Sequence, residues 1–178
     1  VSLYAFSTEN WSSPKEEIDT IFDLLEKFLR RYENKLVNER IRLIISGDLS
    51  EISEKLRNRS ISVMKNTERF VGKTLNIAIN YGGRAEIVRA AKLLSETGEP
   101  ITEENLAGRL YTTGLPDIDL VVRTSGESRL SNFFLWQCAY AELYFTDVLW
   151  PDFKTEELKK ALDWFAGRKR RFGNITNA

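Results

Sequence analysis

Two kinds of apolar pattern alternate along the chain. Short apolar runs rich in β-branched residues predict buried strands, and longer stretches with apolar residues three and four positions apart predict amphipathic helices. The predicted strands are residues 1–7, 40–46, 74–80, 117–123 and 142–146. The predicted helices are residues 14–38, 51–71, 84–96, 103–110, 132–139 and a last one that begins near Thr155. This order predicts an α/β fold in which a mostly parallel sheet is flanked by helices.

Helix-start signals support these boundaries. Ser13 precedes Pro14 and Glu16, which predicts an N-cap with a capping box, and Thr102 is expected to cap the helix over 103–110. The chain shows no internal repeat, low-complexity segment or linker, so we expect residues 1–178 to form a single domain.

Composition excludes several kinds of function. The chain of 178 residues has 26 Lys and Arg, 26 Asp and Glu, one cysteine and no histidine. The charge balance argues against a nucleic-acid partner. The absence of histidine excludes Ser-His-Asp and Cys-His nucleophiles and His-ligated zinc. A lone cysteine allows no internal disulfide, which fits a reducing compartment, and we expect a cytoplasmic protein.

Polar groups are most concentrated in RTSGESRLSNFFLWQ, residues 123–137, directly after a predicted strand. A strand that ends in a glycine-containing polar turn is the usual ligand position in a parallel α/β sheet. Arg123 and Arg129 bracket hydroxyls and a glycine, and the guanidinium donor fork matches the oxygens of a diphosphate. The residues alone leave open a solvated loop with two surface arginines.

This stretch resembles a known family together with three other motifs. They are AYAELYFTDVLWPDF (139–153), AFSTENW (5–11) and NIAINYGGR (76–84). The set is similar to the cis-prenyltransferases, and most closely to the bacterial undecaprenyl diphosphate synthases. The resemblance implies Mg²⁺-dependent condensation of isopentenyl diphosphate onto an allylic diphosphate such as farnesyl diphosphate. The implied product is a long cis-polyprenyl diphosphate, namely undecaprenyl diphosphate, which grows inside a hydrophobic tunnel.

The resemblance also implies roles for individual residues. Arg123, Arg129 and Ser131 fall on the isopentenyl diphosphate pocket, and Glu142 falls on the Mg²⁺-associated glutamate. Without the resemblance, an ion pair with a nearby arginine would be the preferred role for Glu142. Positions beside the allylic substrate are matched by a catalytic Asn10 and by substrate-binding Ser7 and Trp11. A turn that starts the following helix is the alternative for this motif.

Further expectations concern the product chain and the assembly. Strand residues that either wall the tunnel or form ordinary core are Leu3, Ala5, Ile45, Leu75, Ile77 and Ile79. Arg84 and Glu127 are expected to serve the fold or a dimer. The family implies a homodimer in which Arg171, Phe172 and Gly173 reach the partner's site, although a basic helix end is the alternative. Product release implies transient membrane association.

The sequence departs from the family in three places. The family's first strand, Asp-bearing phosphate loop and first helix would precede Val1, so we expect the chain as written to be incomplete for catalysis. Ser13 stands where many bacterial members have an arginine, and Ser128 stands where some have a metal-assisting histidine.

Two other functions compete with this interpretation. A non-catalytic partner subunit of a heteromeric cis-prenyltransferase is disfavoured because such subunits tend to lose the diphosphate-binding arginines. An unrelated phosphate-ester hydrolase or nucleotide-binding domain is disfavoured because neither glycine-rich phosphate-loop pattern occurs in the chain.

Overall fold

The computed structural model describes residues 1–169, in which all paired strands are parallel. The chain divides into two compact units, Val1–Gly114 and the residues from Leu115 onward. Parallel strands flanked by helices confirm the predicted α/β class, and their hydrogen bonds group them into a three-stranded and a two-stranded sheet.

The first unit contains three strands and four α-helices. In chain order they are β1 (Ser2–Ser7), a 3-10 turn (Thr8–Ser12), α1 (Lys15–Asn38), β2 (Ile41–Ser46), α2 (Glu54–Thr67), β3 (Lys73–Tyr81), α3 (Gly83–Thr97) and α4 (Glu103–Ala107). The sheet order is β1-β3-β2. Because the strands are parallel, their carboxyl ends meet at one edge, which is where ligands bind in open α/β sheets.

The second unit is built on a strand pair. Its elements are β4 (Leu120–Arg123), β5 (Glu142–Phe145), a 3-10 turn (Trp150–Asp152) and α5 (Thr155–Ala166). Leu120 lies opposite Glu142 and Arg123 lies opposite Phe145. The ring centroids of Tyr144 on β5 and Trp164 on α5 are 5.3 Å apart, so α5 packs on the strand pair through these rings.

One face of the three-stranded sheet forms the core of the first unit with α1 and α2. Several predicted tunnel residues lie in this core or pack against it: Ile45, Ile77, Ile79 and Leu75. Leu3 is 37% exposed, and β1 has a register irregularity between Tyr4 and Phe6 that interrupts the side-chain alternation around Ala5. A tunnel along this face stays a prediction.

The opposite face of this sheet carries a buried polar row that crosses all three strands. Ser46 Oγ donates to Asn76 Oδ1 at 2.9 Å, and Asn76 Nδ2 donates to Ser2 Oγ at 3.4 Å. Ser46 and Asn76 are almost completely buried, and Ser2 lies opposite Asn76 in the register. The row therefore satisfies an amide that burial would otherwise make costly.

Two local predictions were wrong. The N-cap of α1 is Pro14, with no side-chain capping bond, whereas we expected Ser13 to cap this helix. The apolar segment 132–139 forms turns and no helix. Asn132 and Phe134 have φ angles of +64° and +42°, and an α-helix of L-residues cannot continue through such left-handed positions.

The remaining boundaries agree closely with the sequence pattern. Thr102 caps α4 as expected, since its side chain accepts a bond from the backbone of Asn105 at 3.1 Å. Among residues 1–169, no helix is long and apolar enough to cross a membrane.

Candidate functional site

A cavity of about 550 Å³ opens in the first unit at the carboxyl edge of its sheet. Thr8, Asp48 and Gly82, which directly follow or closely follow the three strands, all line it. The other lining residues are Trp11, Glu51, Asn80, Ala85, Glu86, Val88, Arg89, Lys92, Leu93, Glu96 and Tyr111. Of the predicted site residues, the cavity lining includes Trp11 but not Ser7 or Asn10.

A hydrogen-bond chain fixes the Trp11 indole at this cavity. Trp11 Nε1 donates to Asn80 Oδ1 at 2.8 Å, and Asn80 Nδ2 donates to the Asp48 carbonyl at 2.9 Å. The indole also packs on Phe6 and Phe22, with ring centroids 5.2 and 5.6 Å away. Asn80 has a φ of +46°, a conformation that asparagine tolerates better than most residues. The three strand ends are therefore joined through one amide side chain.

Gly47 allows the loop after β2 to approach β3 closely. A Cβ at this position would lie 1.8 Å from the carbonyl oxygen of Ile79, and Gly47 has a φ of +134°. Only glycine fits this contact. Its neighbour Asp48 is thereby brought beside Asn80, to whose carbonyl the Asp48 backbone N–H donates at 3.1 Å.

Residues of opposite charge, Asp48 and Arg89, line the cavity. Hydrogen bonds from Ser50 hold the pKa of Asp48 below its usual value, and the charge of Arg89 lowers it further. The Arg89 guanidinium lies 4.3 Å from the centroid of the Tyr111 ring, and burial raises the pKa of that phenol. Buried Glu86 accepts from the Tyr111 backbone at 2.7 Å, which fixes this ring against α3.

The AFSTENW motif spans the end of β1 and most of the 3-10 turn that follows it. The Ser7 backbone N–H donates to Asn10 Oδ1 at 2.8 Å, and the Asn10 carbonyl accepts from Ser13 at 3.0 Å. Asn10 is exposed, so a substrate can reach its amide nitrogen while its oxygen holds the turn. The structural role that the sequence left open is thus present, and a catalytic role for Asn10 stays a prediction.

Arg123 ends β4 and begins the signature loop. Arg123 is half-buried, and its guanidinium forms no ion pair or side-chain hydrogen bond within residues 1–169. The loop is anchored to the chain after β5, because the backbone N–H groups of Ser125 and Gly126 donate to the carbonyls of Val148 and Thr146 at 2.9 and 3.0 Å. The guanidinium donors of Arg123 are therefore available to a ligand, and hydrogen bonds hold the backbone of the loop that follows it.

The rest of the predicted diphosphate pocket lies on the same loop. Arg129 is 64% exposed and pairs with Glu127. Ser131 is exposed and has a φ of +49°. Arg123 at the end of β4 and Arg129 and Ser131 on the loop that follows therefore belong to one segment of the second unit. The pairing with Glu127 leaves Arg129 less available than Arg123.

Glu142 begins β5 and contacts an arginine. Its Oε2 accepts from Arg168 Nε at 3.0 Å, and its side chain is 20% exposed. Residues 1–169 contain no group of three or more Asp, Glu, Cys or His side chains that could hold a metal ion. Mg²⁺ commonly keeps several waters and binds one or two carboxylates plus phosphate oxygens. The single carboxylate of Glu142, which already accepts a bond from Arg168, would therefore hold Mg²⁺ only together with the oxygens of a bound diphosphate.

The strand register separates Glu142 from Arg123. Glu142 is at the amino end of β5 and Arg123 is at the carboxyl end of β4, three register positions away. Successive side chains alternate between faces, so Arg123 shares a face with Phe145 whereas Glu142 shares one with Leu120. Within this unit, the structure does not bring the predicted metal ligand beside the predicted diphosphate ligand.

Arg171, Phe172 and Gly173 lie outside the residues that the structure describes. Cys138 is buried, and burial raises the pKa of its thiol to about 11, so it is no thiolate nucleophile near neutral pH.

The sequence-based search missed Asn80, Asp48 and Arg89, all of which line the cavity. A signal for the first two was available. Each lies next to a glycine-containing turn at a strand end, and such polar residues converge when the strands are parallel. Nothing comparable marked Arg89, which is a helix residue in an ordinary amphipathic pattern.

Comparison with known proteins decides the family. The sequence profile of the prenyltransferase family described as undecaprenyl diphosphate synthase matches residues 1–173. The chain belongs to this family. That result confirms the family that the motifs indicated.

Relatives of this prenyltransferase cover most of its length. An isoprenyl transferase of Fusobacterium nucleatum is 46% identical over 99% of this chain and 77% of its own. A ditrans,polycis-undecaprenyl-diphosphate synthase of Vibrio vulnificus, described as (2E,6E)-farnesyl-diphosphate specific, is 43% identical over 97% of this chain and 72% of its own.

Solved structures give the same result for this prenyltransferase. A crystal structure from Campylobacter jejuni, described as an undecaprenyl diphosphate synthase, has a TM-score of 0.89 and 43% identity, covering 97% of this chain and 82% of that one. Lavandulyl diphosphate synthase of Lavandula x intermedia, in complex with dimethylallyl diphosphate, has a TM-score of 0.91 and 35% identity, covering 97% and 78%.

Proposed function

We propose that this protein is a cis-prenyltransferase that condenses isopentenyl diphosphate onto farnesyl diphosphate and makes a long polyprenyl diphosphate such as undecaprenyl diphosphate. The observation that carries the proposal is Arg123. It ends a parallel strand, lies in a motif shared with the family, and has no ion pair or side-chain hydrogen bond within residues 1–169. A guanidinium in this state is suited to a multiply charged oxyanion.

The chemistry requires neutralisation of a leaving diphosphate and no nucleophilic side chain. Arg123, Arg129 and Ser131 would bind and orient isopentenyl diphosphate through guanidinium and hydroxyl donors. Ser7, Asn10 and Trp11 would lie beside the allylic substrate. Mg²⁺, with Glu142 as its protein ligand, would supply charge stabilisation for the leaving diphosphate when bound.

The register of the second unit supports a proposed homodimer. Arg123 and Glu142 lie on opposite faces and at opposite ends of the β4–β5 pair. They are therefore not placed to bind the same diphosphate within one chain. In a homodimer, Glu142 of one copy would serve the diphosphate that Arg123 of the other copy binds. Exposed apolar residues of the same unit suit such an interface: Tyr140, Leu143, Phe145, Leu149 and Trp150.

We also propose a cytoplasmic protein that contacts a membrane transiently when it releases its product. The amino-terminal edge of the first sheet supports this proposal. Val71 is 91% exposed there, and no ion pair within residues 1–169 involves Arg40, Arg69 or Lys73. Cations around an exposed apolar side chain suit an anionic lipid surface.

The membrane proposal can be measured with sedimented vesicles. We expect the protein to bind phosphatidylglycerol vesicles, and the double variant Arg69→Glu, Lys73→Glu to bind several-fold less. The matched control reverses two exposed lysines elsewhere, Lys27→Glu and Lys159→Glu. Equal losses in both variants would assign the effect to net charge alone and contradict a specific surface.

The catalytic proposal is tested by product analysis with the intact protein. Farnesyl diphosphate and radiolabelled isopentenyl diphosphate are incubated with and without Mg²⁺, and the extracted polyprenols are separated by length. We expect Mg²⁺-dependent products with cis double bonds. A protein that extends no allylic diphosphate under these conditions would refute the proposal.

A further inference from the structure

The side-chain amide of Asn80 is hydrogen-bonded at both ends. Its Oδ1 accepts from Trp11 Nε1 at 2.8 Å, and its Nδ2 donates to the Asp48 carbonyl at 2.9 Å. An indole N–H can only donate and a carbonyl can only accept, so a reversed amide would lose both bonds. Because Asn80 is 6% exposed, little water is available to replace either partner. The fold therefore determines the orientation of this amide.

The backbone of Asn80 is held as firmly as its side chain. Asn80 is the penultimate residue of β3, and its carbonyl accepts from the Asp48 backbone N–H at 3.1 Å. In the register of the neighbouring strand pair, Ser7 lies opposite Tyr81, so the turn that contains Trp11 begins beside the end of β3. The acceptor for the indole is thus attached to a fixed point of the sheet edge.

The hydrogen bond determines the angle of the Trp11 ring more strictly than its apolar contacts do. The ring meets Phe6 edge-on, with an interplanar angle of 81°, and is tilted by 44° against Phe22. Aromatic pairs are favourable over a range of distances and angles, whereas an N–H···O bond weakens steeply when it is bent. Trp11 is partly exposed and lines the cavity, so this angle decides which part of the ring a ligand there would meet.

We propose that Asn80 is a positioning residue for the allylic substrate, and that it holds the Trp11 indole at the angle at which the ring packs against the first isoprenoid carbons. This inference rests on the proposed function, because it takes Trp11 as a residue beside the allylic substrate. Asn80 acts through the indole and contacts no substrate atom in this role. Without its acceptor, the Trp11 N–H would turn toward another partner and tilt the ring.

The first test is a double-mutant cycle, measured by calorimetric titration of the intact protein with farnesyl diphosphate alone. Asn80→Ala should weaken the affinity about two- to tenfold, the scale of one neutral hydrogen bond. Trp11→Phe keeps a ring but has no N–H for Asn80. In the Trp11→Phe background, Asn80→Ala should therefore cost little further affinity, because residues that act as one unit are not additive.

The affinity for isopentenyl diphosphate provides a second comparison. Its proposed ligands, Arg123, Arg129 and Ser131, belong to the other compact unit of the chain. Asn80→Ala should therefore leave this affinity unchanged, whereas general damage to the protein would lower the affinity for both substrates.

Asn76→Ala is the matched control for the loss of a buried amide. Asn76 lies four positions earlier on the same strand, is almost completely buried, and bonds to both neighbouring strands through Ser2 and Ser46. Its removal should lower the stability of the sheet and leave the affinity for farnesyl diphosphate unchanged.

The second test uses the wild-type protein, so it does not depend on the folding of an Asn80 variant. In the ¹⁵N–¹H spectrum, the indole signal of Trp11 is the one among four tryptophans that Trp11→Phe lacks. Addition of farnesyl diphosphate should shift this signal while its exchange with solvent stays slow, because the bond to Asn80 persists in the complex.

The outcomes separate this inference from the proposed function. If the wild type binds no farnesyl diphosphate, or if Trp11→Ala binds it as the wild type does, the assignment of Trp11 to the allylic site fails, and this inference fails with it. If Trp11→Ala weakens binding while Asn80→Ala does not, the role of Asn80 is overturned and the assignment of Trp11 stands.

Three further results would overturn the role of Asn80 alone. The first is an equal cost of Asn80→Ala in the wild-type and Trp11→Phe backgrounds. The second is an equal loss of farnesyl diphosphate affinity in Asn80→Ala and Asn76→Ala. The third is faster solvent exchange of the Trp11 indole proton in the complex, because the bond to Asn80 would then break when the substrate binds.

Discussion

Arg123 is half-buried, and its guanidinium has no ion pair or side-chain hydrogen bond within residues 1–169. Its donors are therefore available to a substrate, and the loss of this side chain should affect binding. Arg123→Ala should weaken binding of isopentenyl diphosphate by about 1.5–3 kcal/mol, the scale of a hydrogen bond to a charged group. Arg129→Ala should act in the same direction. Calorimetric titration of each variant with isopentenyl diphosphate measures the change.

Affinity for farnesyl diphosphate should change much less in the same variants. Arg69→Ala removes another exposed arginine and provides the control. Equal losses for both substrates would mean that these arginines maintain the fold and do not define one pocket.

The hydrogen bonds of Asn80 lead to a second prediction for a single residue. Asn80→Ala removes the acceptor of Trp11 Nε1 and the donor to the Asp48 carbonyl, which leaves polar groups unsatisfied. We expect the free energy of unfolding to fall by about 1–3 kcal/mol and the indole emission to shift. Asn80→Asp keeps the acceptor for Trp11 and should preserve more of the emission. Unchanged stability and emission in the alanine variant would contradict the linking role.

For single residues, the sequence predicts which residues belong to the candidate site better than it predicts their contacts. Motifs indicated Trp11 and Arg123, and the chemical roles of both stay predictions. The sequence also left open an ion pair for Glu142, and the structure contains one, to Arg168. Which partner a carboxylate takes depends on residues brought close by folding, here 26 positions apart, and no local pattern encodes that choice.

Among the connecting elements, the loop after β2 gives the sharpest prediction. Gly47→Ala would place a methyl group 1.8 Å from the Ile79 carbonyl oxygen, so the loop and β3 must separate. We expect destabilisation of more than about 4 kcal/mol, which is exceptional for a single substitution. Urea unfolding followed by circular dichroism measures it.

Gly72→Ala is the matched control for this loop. Gly72 also has a positive φ, +94°, but no atom would lie within 4 Å of its new Cβ. It should therefore cost only the backbone strain. Similar losses in both variants would show that strain and not close approach decides the cost at Gly47.

Strands and long helices were predictable at this scale because one pattern governs many residues. The stripe of α1 and the apolar runs of β2 and β3 agree with the structure within a few residues. The prediction of a helix over 132–139 was wrong because it relied on the high apolar content of this segment. A buried turn can have the same apolar content as a buried helix. Its left-handed residues, Asn132 and Phe134, follow no local rule that composition reveals.

For the whole molecule, the proposed homodimer predicts complementation between two inactive variants. If Glu142 of one copy serves the diphosphate held by Arg123 of the other, a mixed dimer of Arg123→Ala and Glu142→Ala chains keeps one intact site. Co-expressed chains should then recover about a quarter of wild-type turnover, because about half of randomly paired dimers are mixed.

Each variant alone should show almost no turnover and provides the baseline for this measurement. Mixed dimers that stay as inactive as the parents would show that both residues act within one chain.

The buried row of Ser2, Asn76 and Ser46 has a consequence for how the first unit assembles. A two-residue slip of β1 along β3 would keep every side chain on its own face, so apolar packing discriminates poorly against it. The slip would move Ser2 away from Asn76 and leave the buried amide short of a partner. The row therefore favours the native pairing of β1 with β3 over misaligned intermediates. It contributes to the specificity of strand pairing more than to the free energy of folding.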